Sequence, residues 1–173
     1  MTEQAGNFEY ERRFLVEDRS ILDGTSYETI DQGYLWAKGG YAVRVRLTTP
    51  DNPTEIDWSS PGIFTLKGPR KDSRRLEIER SIPRADADML LSLCNYRITK
   101  RRHALIHQND VWMVDDFLGD NEGLLLAELE GSPETVAALK KPSWATREVT
   151  DDRRYDNEQL ARNPLPEGRH PPL

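Results

Sequence analysis

The stretch Phe8-Glu9-Tyr10-Glu11-Arg12-Arg13-Phe14 sets Glu9, Glu11 and Arg13 on one side and mostly rings, Phe8, Tyr10 and Phe14, on the other. A period of two belongs to an extended strand, whose successive side chains point to opposite faces. Here the charged face is as regular as the apolar one. The same pattern recurs outward along the chain. Arg44 and Arg46 alternate with Val43, Val45 and Leu47, and Lys67 lies opposite Phe64 and Leu66. Glu77 and Glu79 alternate with Leu76 and Ile78, Lys100 and Arg102 follow, Asp115 adjoins Val114 and Asp116, and Glu128 and Glu130 flank Leu129.

Turn chemistry separates these segments. Strands are predicted over residues 8–16, 30–36, 41–47, 63–67, 74–82, 97–106, 111–118 and 124–130. Gly39-Gly40 is a hairpin signal, and Asn109-Asp110 and the Asp120-Asn121-Glu122-Gly123 run read as turns. One helical turn fits residues 17–24, and residues 49–62, with Pro50, Pro53 and Pro61, read as a long loop. Met89, Leu90, Leu93 and Cys94 have helical spacing, which predicts an amphipathic helix over 86–94. Ser132-Pro133-Glu134 is a helix start that continues through Leu139-Lys140, and a last helix is expected over 155–162. Eight strands in sequential hairpins predict a mainly β fold with a few helices: a closed eight-stranded antiparallel β-barrel with helices packed outside. Residues 1–163 read as one domain and 164–173 as a loose proline-rich tail.

Composition narrows the classes. The 173-residue chain is 36% hydrophobic and 31% charged, a polar globular protein with either a thin core or charged inner surfaces. A net charge of −6 argues against general nucleic-acid coating, because nucleic-acid binders carry a basic footprint. A single cysteine, Cys94, excludes an intrachain disulfide and fits a reducing cytoplasm. No signal-peptide pattern opens the sequence, and no apolar run approaches the ~20 residues that cross a bilayer.

Cross-strand charge pairs on a wet face are common, and each contributes only about 0.2–1 kcal/mol. Repetition on nearly every strand makes a wet face the weaker explanation. If the apolar faces pack outward on helices, the charged faces point into the barrel, where each ion costs on the order of several kcal/mol to desolvate unless it is paired or binds something. Paired glutamates at i and i+2 point the same way and can share one hard divalent cation. Arginines suit phosphate oxygens through their planar fork of donors. A lining of both signs therefore suits a metal–triphosphate complex, with Mg²⁺ or Mn²⁺ as the ion.

The run Glu9-Tyr10-Glu11-Arg12-Arg13-Phe14-Leu15-Val16 resembles the E-x-E-x-K signature that opens the CYTH domain, or triphosphate tunnel metalloenzyme, family. The resemblance continues in order through Gln32-Gly33-Tyr34, Val43-Arg44-Val45-Arg46, Thr65-Leu66-Lys67-Gly68, Glu77-Ile78-Glu79 and Lys100-Arg101-Arg102. It extends to Val114-Asp115-Asp116-Phe117, Ala127-Glu128-Leu129-Glu130, Glu148-Val149-Thr150-Asp151 and Arg154-Tyr155-Asp156-Asn157. It implies an eight-stranded tunnel that hydrolyses inorganic triphosphate or a related short polyphosphate or organic triphosphate. Adenylate cyclase, giving cyclic AMP and pyrophosphate from ATP, is the enzymatic alternative, and a catalytically weak polyphosphate-binding module is the non-enzymatic one. By the same resemblance Arg44, Arg46, Lys67, Lys100 and Arg102 form the phosphate cradle, Glu9, Glu11 and Glu130 hold the bridging metal, and Glu79, Asp115 and Glu128 form a second, weaker metal site. Asp115 and Asp116 are alternatives, because a bulge would swap their faces. Glu77 faces the tunnel, as a site residue or as a counter-ion to a neighbouring arginine.

The sequence departs from the signature at Arg13, where the family usually has lysine; in resembling enzymes that lysine, near the tyrosine matching Tyr34, helps activate water. Tyr34 and Arg13 are the catalytic candidates here, but arginine holds phosphate well and accepts a proton poorly. His103 and His107 are placed on the outer face or at strand ends, and Cys94 in the core. Trp36, Trp58, Trp112 and Trp144 are read as packing or rim residues. The basic run Arg70, Lys71, Arg74 and Arg75 reads as a solvated loop, with guidance of an anion to the tunnel mouth as the alternative. Oligomeric state and protein partners leave no signal in the sequence.

Overall fold

Local chemistry decides where the chain turns. In this computed structural model, which describes residues 8–51, 60–71 and 74–165, Gly39 and Gly40 both adopt positive φ, 62° and 85°, and reverse the chain between β2 (Tyr27–Lys38) and β3 (Tyr41–Pro50). Before them comes β1 (Phe8–Val16) and a 3₁₀ turn, Arg19–Leu22, capped by the Asp18 carboxylate accepting from the Ser20 N–H. After them come β4 (Gly62–Lys67), β5 (Arg74–Ile82) and helix α1 (Arg84–Ser92). The second half consists of β6 (Tyr96–His107), β7 (Asp110–Phe117), β8 (Leu125–Gly131), α2 (Pro133–Ala138), β9 (Ala145–Glu148) and α3 (Asn157–Arg162). Trp58, most of the 49–62 insert and the tail from residue 166 lie outside the described residues.

All strand pairs are antiparallel, in the order β5-β4-β3-β2-β6-β7-β8-β1-β9, and a β1–β5 pairing closes eight of them into a barrel. β1 is the seam. Its first residues, Phe8 to Tyr10, pair with β5, its middle pairs with β8, and Phe14 and Val16 also pair with β9 across a register shift. The ninth strand was not expected from sequence. Ala145-Thr146-Arg147-Glu148 is too short to show alternation by itself; it is a strand because β1 offers it an edge. The Ser132 cap and Pro133 start hold, with the Ser132 hydroxyl accepting from the Thr135 N–H, but α2 ends at Ala138 rather than running through Leu139-Lys140. Leu139 leaves the helix to pack on the core, and Pro142 bars further helix. The expected helix over 155–162 divides into a 3₁₀ turn, Arg153–Tyr155, and α3.

Outward faces carry most of the core. Phe14, Trp112, Val114, Ala127 and Leu129 form one cluster against Trp144 and Leu139; Val45 and Leu47 meet Ala87 and Leu91 of α1. α1 lies so close to the sheet that a Cβ on Gly62 would come within 2.3 Å of the Ala87 Cβ, and one on Gly33 within 2.6 Å of the Cys94 Sγ. The glycine between Gln32 and Tyr34 is therefore there to admit the end of α1. A third cluster fills one end of the lumen. Leu15, Ile98, Phe117 and Leu126 continue the inward faces of their strands and pack against Tyr155 and Leu160 of the C-terminal segment. The lumen is charged along part of its length and stoppered by apolar side chains at the other end. Among the described residues no helix is long and apolar enough to cross a membrane.

Candidate functional site

Register aligns the charged positions. Glu11 faces Glu130 and Arg13 faces Glu128 across β1 and β8; Arg44, Thr65 and Glu79 line up across β3, β4 and β5; Lys67 pairs with Glu77, and Arg102 with Asp115. Period two then sends the i and i+2 residues of each strand to the same side. The result is a lumenal cavity of about 220 Å³. Glu9, Glu11, Arg13, Tyr34, Arg44 and Arg46 line it, together with Lys67, Glu79, Lys100, Arg102, Glu128 and Glu130, so that of the sequence-derived site residues only Asp115 does not reach it.

Asp115 lies behind the cavity wall. Fully buried, it accepts from Arg102 Nε at 2.7 Å and Nη2 at 2.7 Å, and from Lys100 Nζ. Burial alone would raise its pKa, but Arg102 and Lys100 hold the carboxyl well below the usual range. Both oxygens are bonded to protein cations, and the side chain stands behind Lys100 and Arg102 rather than in the cavity lining where the sequence reading expected a metal ligand. Asp116, the alternative, points to the other face of the regularly alternating strand and binds Arg19 at 2.7 and 2.9 Å. Lys100 also reaches Asn157 Oδ1 at 3.3 Å. Burial brings its pKa down to about 8, even with Asp115 beside it.

On the β1 side the balance is reversed. Glu9 accepts from Lys67 at 3.0 Å, Lys67 also donates to Glu77 at 3.0 Å, and Glu11 accepts from Arg70. Among the described residues no ion pair reaches Glu130. Burial and repulsion from Glu9, Glu11 and Glu77 push its pKa up to about 7, against 4.5 ordinarily. In β3–β5, Arg44 donates to Thr65 at 2.9 Å and Glu79 at 3.0 Å, while Arg46 comes only within 3.9 Å of Glu79. Burial raises the carboxyls of Glu77 and Glu79, but their hydrogen bonds and the neighbouring cations bring both below normal. The Nε groups of Arg13, Arg44 and Arg46 are buried without a hydrogen-bond partner.

Arg13 is turned toward the C-terminal segment. Its guanidinium donates to the Tyr155 carbonyl at 2.8 Å, the Thr150 carbonyl at 2.9 Å and Asp156 Oδ1 at 2.9 Å. Burial opposes its charge, but Glu11, Asp156 and Glu128 raise its pKa above the ordinary arginine value. Tyr34 accepts from Gln32 Nε2 at 3.0 Å, and burial raises its phenol. Neither group is a proton acceptor near neutral pH.

Sequence reading missed several lining residues. Arg70 and Arg75 line the cavity rather than a solvated loop, and Asp156, Asn157 and Glu158 reach it from the start of α3. A signal for the latter was present in the Arg154-Tyr155-Asp156-Asn157 motif. Other expectations stand as placements: Trp112 is buried in the outer core against Trp144, Trp36 is half exposed, and His103 bonds Thr25 away from the lumen. Cys94 is only partly buried, over Gly33.

No cluster of three metal-ligating side chains stands ready-assembled among the described residues. The donor set still fits a hard cation, because it consists of carboxylates and because Glu130 lacks the counter-charge its neighbours have found.

A closed barrel with both signs of charge on its inner wall defines a β-tunnel for a polyanion that travels with a cation. No protein-family model matches the chain. It is 38% identical over 157 residues to the inorganic triphosphatase of Acetivibrio thermocellus, covering 86% of this chain and 94% of that one. To the inorganic triphosphatase of Nitrosomonas europaea it is 32% identical over 160 residues, covering 88% and 96%. The crystal structure of an inorganic triphosphatase superposes with a TM-score of 0.61 at 28% identity, covering 91% of this chain and 96% of that one. The chain belongs to the inorganic triphosphatase family of CYTH-type triphosphate tunnel enzymes.

Proposed function

We propose that this protein hydrolyses inorganic triphosphate, or a related short polyphosphate, in the lumenal cavity with Mg²⁺ or Mn²⁺ bound. The observation that carries this reading is the pairing of Glu130, an acid without a counter-ion among the described residues, with arginines whose Nε groups are buried and unpartnered. Such a cavity is unfinished in both signs. A divalent cation completes one side and phosphate oxygens the other. Both relatives are named inorganic triphosphatases, which supports the choice of substrate.

Arg44, Arg46, Lys67, Lys100 and Arg102 hold the phosphates, with Arg44 and Arg46 supplying free guanidinium edges. Glu9, Glu11 and Glu130 would hold the cation; Glu79 and Glu128, which also line the cavity, would form a second, weaker site. Asp115 is assigned to stationing Lys100 and Arg102. When bound, the cation would neutralise charge developing on the phosphate oxygens. Water attacks a terminal phosphorus, the phosphoanhydride bond breaks, and orthophosphate and pyrophosphate leave. The reaction needs orientation and charge more than covalent help, which matches a lining of fixed ions without a nucleophile. Arg13 orients rather than accepts the proton, since its guanidinium stays charged and is bonded to the C-terminal segment.

Phosphate release with Mg²⁺ or Mn²⁺ across tripolyphosphate, thiamine triphosphate and ATP tests the proposal. Release is expected to be fastest from tripolyphosphate; no release from any of them, where binding is detected, sinks it. The anchored guanidinium of Arg13 favours one other reading, a binding module with weakened turnover. Arg13→Lys separates them: a large rise in turnover supports the weakened site, and unchanged turnover shows that position 13 does not limit the rate.

A further inference from the structure

Arg70 is the lining residue that the expected phosphate cradle leaves out, and its bonding is incomplete. It lies in the β4–β5 connection, held by the Gly68 N–H donating to the Leu76 carbonyl at 2.8 Å and by a bridge between Lys71 and Arg74. Its Nη2 donates to Glu11, while Nε and Nη1 are buried with no partner among the described residues. The side chain is only 11% exposed, so solvent does not explain the missing partners. Arg70 also stands between two spaces: it lines the lumenal cavity and a second one of about 290 Å³ beside Gly40, Pro69 and Arg153.

A buried guanidinium with two idle nitrogens is costly unless something is to fill them. What fits is an acceptor with several oxygens on one centre, as in a phosphate group. Yet the one side-chain acceptor Arg70 has among the described residues, Glu11, is among the carboxylates assigned to the cation. Lys67 is placed alike, held between Glu9 and Glu77. Each of these protein cations occupies a carboxylate that a divalent ion would need, while the phosphates would need the protein cation.

Resting on the proposed function, we infer that Arg70 is a further substrate-binding residue that exchanges partners: it neutralises Glu11 in the free protein and passes to the polyphosphate when that anion binds, leaving Glu11 to a divalent ion. Arg70 therefore competes with the metal and cooperates with the anion. Each ligand helps the other bind beyond their attraction in solution, and by linkage the effect is reciprocal. A residue that merely braced the loop would weaken both ligands together or neither.

Opposite signs make the test. Binding of Mn²⁺ alone, followed by its electron paramagnetic resonance signal, and binding of tripolyphosphate in EDTA, followed by calorimetry, are measured for wild type, Arg70→Gln and Arg70→Lys. Arg70→Gln is expected to bind Mn²⁺ about 5-fold or more tightly and tripolyphosphate about 10-fold or more weakly. Arg70→Lys, which keeps the charge and loses the fork, falls between on both. Mn²⁺ affinity that is unchanged or lower in both variants overturns the exchange, as does unchanged tripolyphosphate affinity. Wild-type protein that binds both ligands but releases no phosphate would sink the hydrolase reading and leave the exchange standing.

Discussion

Two charged clusters share the barrel wall and are finished to different degrees. Around Asp115, Lys100 and Arg102, every carboxylate oxygen has a donor and the group is complete in the empty protein. Around Glu9, Glu11 and Glu130, the cations are borrowed from neighbouring strands and loops, and Glu130 is left over. The first cluster is built for stability of position, the second for exchange. A buried ion pair is hard to justify as a source of stability, since its desolvation offsets most of its attraction. Complete pairing at Asp115 is better understood as fixing two cavity-lining cations in place.

The largest effect on this contrast is expected at Asp115. Asp115→Asn strands Lys100 and Arg102 without their shared anion and is expected to cost about 3–5 kcal/mol in urea denaturation, with loss of turnover. Replacement on the other side should act in the opposite direction. The folded pKa of Glu130 is raised from 4.5 to about 7, so ionising it disfavours the folded state, and its contribution to stability is lost as pH rises between those values. In EDTA, Glu130→Gln is expected to stabilise the protein at pH 8 and to change little at pH 4, while phosphate release with Mn²⁺ falls at least about 10-fold. A loss of stability at pH 8 would mean that Glu130 has a partner and the contrast between the clusters fails.

Arg13 joins the unfinished cluster to the stopper at the closed end, through Glu11 at 3.7 Å and through its bonds to Thr150, Tyr155 and Asp156. Arg13→Lys keeps the charge but cannot satisfy all three acceptors in that geometry, and a loss of about 1–3 kcal/mol is expected in the same denaturation assay. The smallest effect belongs to an ion pair outside the barrel. Arg12 and Glu148 are bonded at 2.8 Å but partly exposed, so Arg12→Gln should cost about 1 kcal/mol or less and leave phosphate release unchanged. A large effect there would show that the β1–β9 pairing, rather than the lumen, governs stability.

Much of this was legible from alternation. The period-two pattern sends Glu9, Glu11, Arg44, Arg46, Glu128 and Glu130 to one side of their strands, and that side is the lumen. Alternation placed Asp115 on the face of Lys100 and Arg102 but did not show that both cations bond it, because a pattern states direction and not who arrives first at a carboxylate. Arg70 and Asp156 were not found as site residues because they lie in connections, where no periodicity tells which way a side chain turns. β9 escaped for a related reason, since four residues carry too little pattern and are made a strand by the free edge of β1.

By itself, then, the sequence determined the strands, their charged and apolar faces, and the two signs of charge a ligand would have to satisfy. These follow from local geometry, which each residue carries with it. Tertiary structure alone decided that the barrel closes through β1 and β5, that the lumen is stoppered by Tyr155 and Leu160, and which ions are already paired. Those outcomes depend on contacts between residues far apart in the chain, where burial and competition among several cations for one carboxylate set the result.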